Sequence, residues 1–126
     1  MGLKRVVVSG LGALTPIGND IKSYWNGLKS GLSGADKITY FDTSKFKTQF
    51  ACELKGYDPM DFFDRKEGRK LDKFSQYAIV SSDEAINDSG LNNEGIDKER
   101  VGVIWGSGIG GLKTFQDEVT NFVNGD

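Results

Sequence analysis

Two short apolar runs, each followed by a cluster of glycines, constrain the fold of this chain more than any other feature. The first run is residues 5–9 and the second is residues 100–105. Neither run alternates apolar with polar residues, and a continuous β-branched run is typical of a strand that is buried on both faces of a sheet. Both runs therefore predict central strands, which need neighbouring strands and covering helices.

Helical periodicity fills the chain between and after these two runs. Apolar residues recur at three- and four-residue steps, and helices are predicted after a cap at Asn19 or Asp20, from Leu71 to Gly90, and from Leu112 to Val123. Asp58 and Pro59 predict a short helical turn through Phe63. A weaker alternation at Phe50, Cys52 and Leu54 predicts a half-buried strand. Ser81 and Ala85, on one face of the third helix, are small enough to let another element approach closely. The order of β, α, weak β, α, β, α indicates a layered α/β architecture with parallel pairing.

A chain of 126 residues has room for one hydrophobic core, so residues 1–126 are predicted to belong to a single domain. Two strands that are apolar on both faces do not complete a sheet, because their edges and faces would meet water. We therefore expect the domain to be partial. Further protein, from the same gene or from a partner, is expected to complete the sheet.

The chemical inventory excludes several classes of function. The chain has no histidine and one cysteine, Cys52, so it offers no Ser-His-Asp or Cys-His base, no imidazole zinc site and no internal disulfide. We expect Cys52 to be buried and structural, and Trp25, Trp105 and Tyr77 to be core residues. The net charge of −2 provides no basic field for nucleic acid or an anionic membrane. The N-terminal apolar run is too short for a signal peptide or a membrane span, so a cytoplasmic location is expected.

One stretch departs from this charge balance. Residues 65–73 carry five cations and two acids, a net charge of +3, which leaves −5 for the rest of the chain. In a helical conformation Arg65, Arg69 and Lys73 form one basic ridge and Lys66 and Lys70 form a second, and both ridges suit phosphates or carboxylates. A solvated surface with modest ion pairs explains the same pattern.

The two glycine clusters also permit two interpretations. The first glycine cluster, GLGALT at residues 10–15, has Thr15 in place of the third glycine of a dinucleotide fingerprint. The second glycine cluster, GSGIGG at residues 106–111, matches G-x-G-x-x-G in full and stands between a predicted strand and a predicted helix. Such glycines either cradle a phosphate or let the backbone lie close to another segment or a ligand.

Five motifs follow one another along the whole chain. They are RVVVSGLGALTPIG at residues 5–18, FDTS at 41–44, RKEGRKLD at 65–72, NDSG at 87–90 and GSGIGG at 106–111. In this order and spacing they closely resemble the amino-terminal part of the β-ketoacyl-acyl-carrier-protein synthase II family. The resemblance implies a thiolase-like layered α/β fold, of which this chain would supply an incomplete amino-terminal portion of the first half.

The resemblance also implies chemistry and partners. The family forms homodimers and elongates fatty acyl chains by a decarboxylating Claisen condensation, using a cysteine thiolate and two histidines. That cysteine is expected beyond residue 126, so the resemblance assigns no catalytic residue, metal or cofactor to this chain. It assigns Lys66, Arg69 and Lys70 to the docking of the acidic acyl carrier protein. It assigns Ile109 to the acyl-chain pocket near the dimer interface.

Three functions remain open on these observations. The first is the amino-terminal segment of a condensing enzyme, which would be inactive alone because the catalytic residues lie elsewhere. The second is a non-catalytic subunit that binds the carrier protein or sets the chain length. The third is a Rossmann-like nucleotide-binding domain, which depends on the second glycine cluster.

Overall fold

Helices dominate the structure, a computed structural model in which residues 2–125 are described. In chain order the elements are α1 (Ile21–Lys29), β1 (Asp36–Lys37), β2 (Phe50–Ala51), α2 (Arg65–Gly68), α3 (Lys73–Ser89) and α4 (Leu112–Asn124), with short 3-10 turns at Pro59–Asp61 and Lys98–Arg100. All four predicted helical segments are confirmed, because caps and 3.6-residue periodicity are local signals. The short helix α2 is an addition to them.

The described residues divide into two units. The first unit contains the described residues up to Tyr57 together with Ser81–Ile96. The second unit contains Asp58–Val80 together with the described residues from Asp97 onward. The long helix α3 therefore contributes its first half to the second unit and its second half to the first unit.

Helix α1 of the first unit begins with a capping box. The Asp20 carboxylate accepts a hydrogen bond from the Ser23 backbone N–H at 2.8 Å, and the Ser23 hydroxyl oxygen accepts one from the Asp20 N–H at 3.3 Å. The helix ends before Gly31, whose φ of +66° is the left-handed conformation that glycine adopts without strain. The predicted cap is thus Asp20, and the predicted glycine stop is also confirmed.

The first glycine cluster packs directly on the small-residue face of α3. A Cβ atom at Gly12 would lie 1.9 Å from the Ser81 carbonyl oxygen, and one at Gly10 would lie 2.2 Å from the Ala85 carbonyl oxygen. No side chain fits in either gap, so glycine is required at both positions. The close approach predicted from Ser81 and Ala85 is confirmed, and the approaching element is the loop rather than another helix.

The predicted central strands are wrong for the described residues. Within the described residues 2–125, no strand forms at residues 5–9 or at residues 100–105. Val6 and Ile104 are 92% and 99% exposed. The sheet that does form is a two-residue antiparallel pair, with Asp36 opposite Ala51 and Lys37 opposite Phe50. β-branched composition sets a backbone preference, but a strand also needs a hydrogen-bonding neighbour. The predicted strand at residues 50–54 is confirmed only at its first two residues.

Burial is sparse across the described chain. The buried apolar side chains are Ala13, Phe63 and Val80, and the buried polar side chains are Gln76 and Ser81. Helix α4 lies where predicted, but its apolar face is open to solvent, as are the indole rings of Trp25 and Trp105 that were expected in the core. Exposed apolar surface of this extent is typical of a binding face. In the part of the chain that the structure describes, no helix is long and apolar enough to span a membrane.

Candidate functional site

A basic segment, residues 65–70, occupies α2 and the turn that follows it. The Asp64 carboxylate caps this helix by accepting hydrogen bonds from the backbone N–H groups of Lys66 and Glu67, both at 2.8 Å. The winding continues for one more turn, because the Lys70 N–H donates to the Glu67 carbonyl oxygen at 3.0 Å. Four-residue spacing therefore holds for Arg65 with Arg69 and for Lys66 with Lys70. The predicted third member of the first ridge, Lys73, is instead the first residue of α3.

The cations of the basic segment are free to meet an external partner. Lys66, Arg69 and Lys70 are all exposed. Among residues 2–125 their side chains make no ion pair and no side-chain hydrogen bond, whereas Lys55 pairs with Asp36 at 3.0 Å. An arginine or lysine without an internal carboxylate keeps its full set of donors for an external carboxylate or phosphate.

The second glycine cluster meets the start of α3 in the second unit. A Cβ atom at Gly110 would lie 2.6 Å from a ring carbon of Phe74, and Gly111 caps α4 with a φ of +72°. These two positions require glycine, because one lies against an aromatic ring and the other is left-handed. Gly106 and Gly108 have open space where a side chain would be. The close-approach interpretation is therefore confirmed for Gly110.

A pocket of about 300 Å³ lies between the second glycine cluster, α3 and α4. Its apolar lining comes from Leu71, Phe74, Ile109 and Leu112. Ile109 is 74% exposed, so its side chain stands at the edge of the pocket rather than in its depth. The structure thus places the predicted acyl-pocket residue in an apolar pocket within the same unit as the basic segment.

Carboxylates lie beside both glycine clusters. Beside the second cluster, the Asp72 carboxylate accepts a hydrogen bond from the Thr114 hydroxyl in the first turn of α4. At the first cluster, Asp88 accepts from the Leu11 N–H at 2.9 Å and Glu84 accepts from the Ala13 N–H at 2.8 Å. A nucleotide phosphate uses such amides and helix starts, and here it would face a like charge. These carboxylates therefore disfavour a nucleotide phosphate at the positions they occupy.

The cysteine does not behave as predicted. Cys52 is exposed, and not buried as a structural thiol would be. The alternation that predicted its burial requires a strand through residue 54, but β2 ends at Ala51. An exposed thiol without a strand around it has no packing role.

Sequence reasoning missed several residues that organise these loops. The carboxylates of Asp72, Glu84 and Asp88 each bind a backbone or hydroxyl group more than forty residues away in the sequence. Asp72 lies within a run of charged residues, and the sequence pattern predicts only that Glu84 and Asp88 belong to the polar face of a helix. The available signal was the four-residue spacing of Glu84 and Asp88, which puts both carboxylates on one helix face.

Comparison with known proteins identifies the family. The sequence model of the family described as β-ketoacyl synthase, N-terminal domain, matches residues 3–124 of this chain. The 3-oxoacyl-[acyl-carrier-protein] synthase 2 of Staphylococcus aureus strain N315 is 48% identical over 113 residues, which is 90% of this chain and 27% of that protein. The corresponding protein of Synechocystis is 46% identical over 117 residues, 93% of this chain and 28% of that protein. The chain belongs to the β-ketoacyl synthase family, and it spans about a quarter of the length of these relatives.

Solved structures agree on the fold. A β-ketoacyl synthase from Burkholderia phymatum STM815 superposes with a TM-score of 0.73 at 28% identity, covering 98% of this chain and 31% of that one. The ishigamide ketosynthase/chain length factor superposes with a TM-score of 0.62 at 31% identity, covering 76% of this chain and 23% of that one. The predicted family and its thiolase-like α/β fold are confirmed, although the two central strands are absent from the described residues.

Proposed function

We propose that this chain is the amino-terminal part of a condensing enzyme that elongates fatty acyl chains. In such an enzyme, malonyl-carrier protein loses carbon dioxide and the resulting carbanion attacks an acyl thioester, which is a decarboxylating Claisen condensation. The observation that carries the proposal is the 48% identity to a 3-oxoacyl-[acyl-carrier-protein] synthase 2 over 90% of this chain. A cytoplasmic location and a homodimeric assembly are part of the same proposal.

The basic segment is proposed to dock the acidic carrier protein through Lys66, Arg69 and Lys70. Support comes from their exposure, from the lack of internal partners among the described residues, and from a local charge of +3 in a chain of −2. Complementary charges of this kind raise the rate of encounter and select an acidic partner over others. The interaction is expected to weaken as salt is added, since exposed charges are screened.

The apolar pocket is proposed to receive part of the acyl chain. Leu71, Phe74 and Ile109 offer apolar contacts, and the exposed position of Ile109 leaves its other side available to further protein. Burying methylene groups against such residues contributes about 0.8 kcal/mol for each group. An acyl chain is proposed to lie against this apolar side of the pocket, whose remaining lining includes Asp72, Lys73 and Lys113.

Catalysis is proposed to depend on residues outside these 126. Thioester chemistry of this class needs an activated thiolate and donors for the oxyanion. This chain has no histidine, and its single cysteine lies in the first unit, whereas the proposed docking and pocket residues lie in the second. The 126-residue chain alone is therefore expected to bind a carrier but not to condense acyl groups.

Carrier binding tests this function directly. We expect the 126-residue chain to bind an acidic acyl carrier protein at low salt, and Arg69→Glu to weaken binding by about tenfold or more, because it replaces an attraction with a repulsion. Arg100→Glu is the matched control, since it makes the same charge change at another exposed arginine. Equal affinity of the two variants in a calorimetric titration would contradict the docking proposal.

A second candidate is a non-catalytic subunit that sets acyl chain length. The specific observation that favours it is the structural similarity to the ishigamide ketosynthase/chain length factor. Sequencing the gene beyond codon 126 separates the two candidates. A cysteine with two histidines in family order supports the enzyme, whereas further family sequence without them supports the non-catalytic subunit.

A further inference from the structure

Gln76 joins the basic segment to the wall of the pocket. It lies in the first turn of α3 and is only 5% exposed. Its side-chain amide donates one hydrogen bond to the Gly68 carbonyl oxygen at 2.8 Å and another to the Leu71 carbonyl oxygen at 3.0 Å. Gly68 is the last residue of α2, and Leu71 lines the pocket. One buried amide therefore fixes the end of the basic segment and the first part of the pocket wall together.

Asp72 extends this connection to the second glycine cluster. Its backbone carbonyl oxygen accepts hydrogen bonds from the N–H groups of Ser75 and Gln76, at 2.9 and 3.0 Å, which starts α3. Its carboxylate accepts the hydroxyl hydrogen bond of Thr114, and one of its oxygens lies 3.0 Å from the position that a Cβ atom at Gly111 would take. The same residue thus begins α3 and holds the first turn of α4.

The two interactions form a continuous polar junction within the second unit. On one side is the basic segment, and on the other is the loop that carries Ile109. The carboxylate also lies at the N-terminal end of α4, where a negative charge is stabilised by the helix dipole. Phe74, packed on Gly110, adds an apolar contact to the same junction.

We infer that Asp72 and Gln76 are positioning residues that couple the second glycine cluster to the basic segment, so that a carrier docked on the basic segment also acts on the pocket. For its biological meaning the inference rests on the proposed function. Gln76 is buried and does not line the pocket, whereas Asp72 lines part of it. Both act through others, with Asp72 acting on Thr114 and Gln76 acting on the carbonyl groups of Gly68 and Leu71.

Amide hydrogen exchange on the 126-residue chain tests the junction without any partner. Asp72→Ala is expected to speed exchange of the Phe115 amide, which bonds the Gly111 carbonyl oxygen at 2.9 Å, by about tenfold. Asp72→Asn is expected to restore protection, because its amide oxygen still accepts from Thr114. Protection that is unchanged in Asp72→Ala, or lost equally in Asp72→Asn, would overturn the inference.

Thr114→Val provides a second variant, at an exposed side chain. It removes the hydroxyl donor and keeps the side-chain shape, and it is expected to reproduce the effect of Asp72→Ala. Thr120→Val is the matched control, since the Thr120 hydroxyl donates within α4 to the Gln116 carbonyl oxygen at 2.7 Å. Equal exchange at Phe115 in both variants would contradict a role for the Asp72 carboxylate.

A carrier titration followed by amide chemical shifts separates this inference from the proposed function. In the unaltered chain, carrier is expected to shift amides of the basic segment and of residues 106–111 together. In Thr114→Val, only the basic segment is expected to shift. If the carrier changes the amide chemical shifts of neither region, the docking proposal fails. The hydrogen-exchange experiment still tests whether Asp72 holds the first turn of α4. If carrier shifts the basic segment alone in the unaltered chain, the inference is wrong.

Discussion

Glu84 is the side chain whose removal should cost the first unit most stability. Its two carboxylate oxygens accept separate backbone hydrogen bonds, from the Ala13 N–H and from the Ile21 N–H, each at 2.8 Å. Ala13 is buried in the first glycine cluster, and Ile21 is the first residue of α1. The carboxylate therefore fixes a tight loop and the start of a helix from a third element, α3.

The expected cost follows from these two bonds. A hydrogen bond to a charged group contributes about 1.5–3 kcal/mol when well buried, and an ordinary one about 1 kcal/mol. Both bonds here are partly buried, so each is expected to contribute about 1–1.5 kcal/mol, and Glu84→Ala should lower the free energy of unfolding by about 2–3 kcal/mol. Glu84→Gln keeps one acceptor oxygen and replaces the other with a donor, so about half of that loss is expected.

Urea unfolding followed by circular dichroism measures these differences. The control is Glu94→Gln, which makes the same chemical change at an exposed glutamate of the same unit. We expect the control to lie within about 0.5 kcal/mol of the unaltered chain, as is usual for surface substitutions. If Glu84→Ala unfolds at the same urea concentration as the control, the two hydrogen bonds do not stabilise the loop and this reasoning is refuted.

Two further predictions concern the same unit. Gly12→Ala is expected to destabilise the chain by about 1–3 kcal/mol in urea unfolding, because its Cβ atom would lie 1.9 Å from the Ser81 carbonyl oxygen. The control is Gly102→Ala, which should change stability little because open space surrounds Gly102. Equal effects of the two substitutions would contradict the packing argument. The Ser23 backbone N–H, and then the Ser23 hydroxyl, hold the pKa of Asp20 below its ordinary value of 3.8. The capping contribution is therefore present above pH 3.8 and is lost as the pH falls through the lowered pKa. Residue-level exchange in α1 should show that loss in the unaltered chain and not in Asp20→Asn; the same acid sensitivity in both would assign the effect to another group, such as Asp36 or Asp42, whose pKa values are also lowered by hydrogen bonds.

The helices were predictable because their signals lie within a few residues of one another. Asp20 caps α1 through Ser23, three residues away, and Asp58 caps the turn that Pro59 begins. Gly90 ends α3 with a φ of +72°. Each of these interactions can be recognised from local sequence, whatever the rest of the chain does.

The strands and the polar junction were not predictable in this way. Whether Val6 lies in a strand depends on a hydrogen-bonding neighbour that local composition does not specify. Asp72 and Thr114 are separated by 42 positions, and Glu84 and Ala13 by 71. Nothing in a charged run distinguishes a carboxylate that faces solvent from one that binds a distant hydroxyl. The basic segment was predictable because its evidence is simply a local excess of charge.

The proposed function explains why the two predicted strand segments, residues 5–9 and 100–105, are exposed. Val6 and Ile104 stand almost fully in solvent, yet each lies in a β-branched run of the kind that sheets bury on both faces. Leaving one such side chain exposed forgoes about 1.5–3 kcal/mol, so a run of them represents a large unused stabilisation. Under the proposed function, the remainder of a synthase about three times this length would provide the pairing strands and covering helices. The runs that fail to pair among residues 2–125 are thus the surfaces on which we propose that the rest of the enzyme assembles.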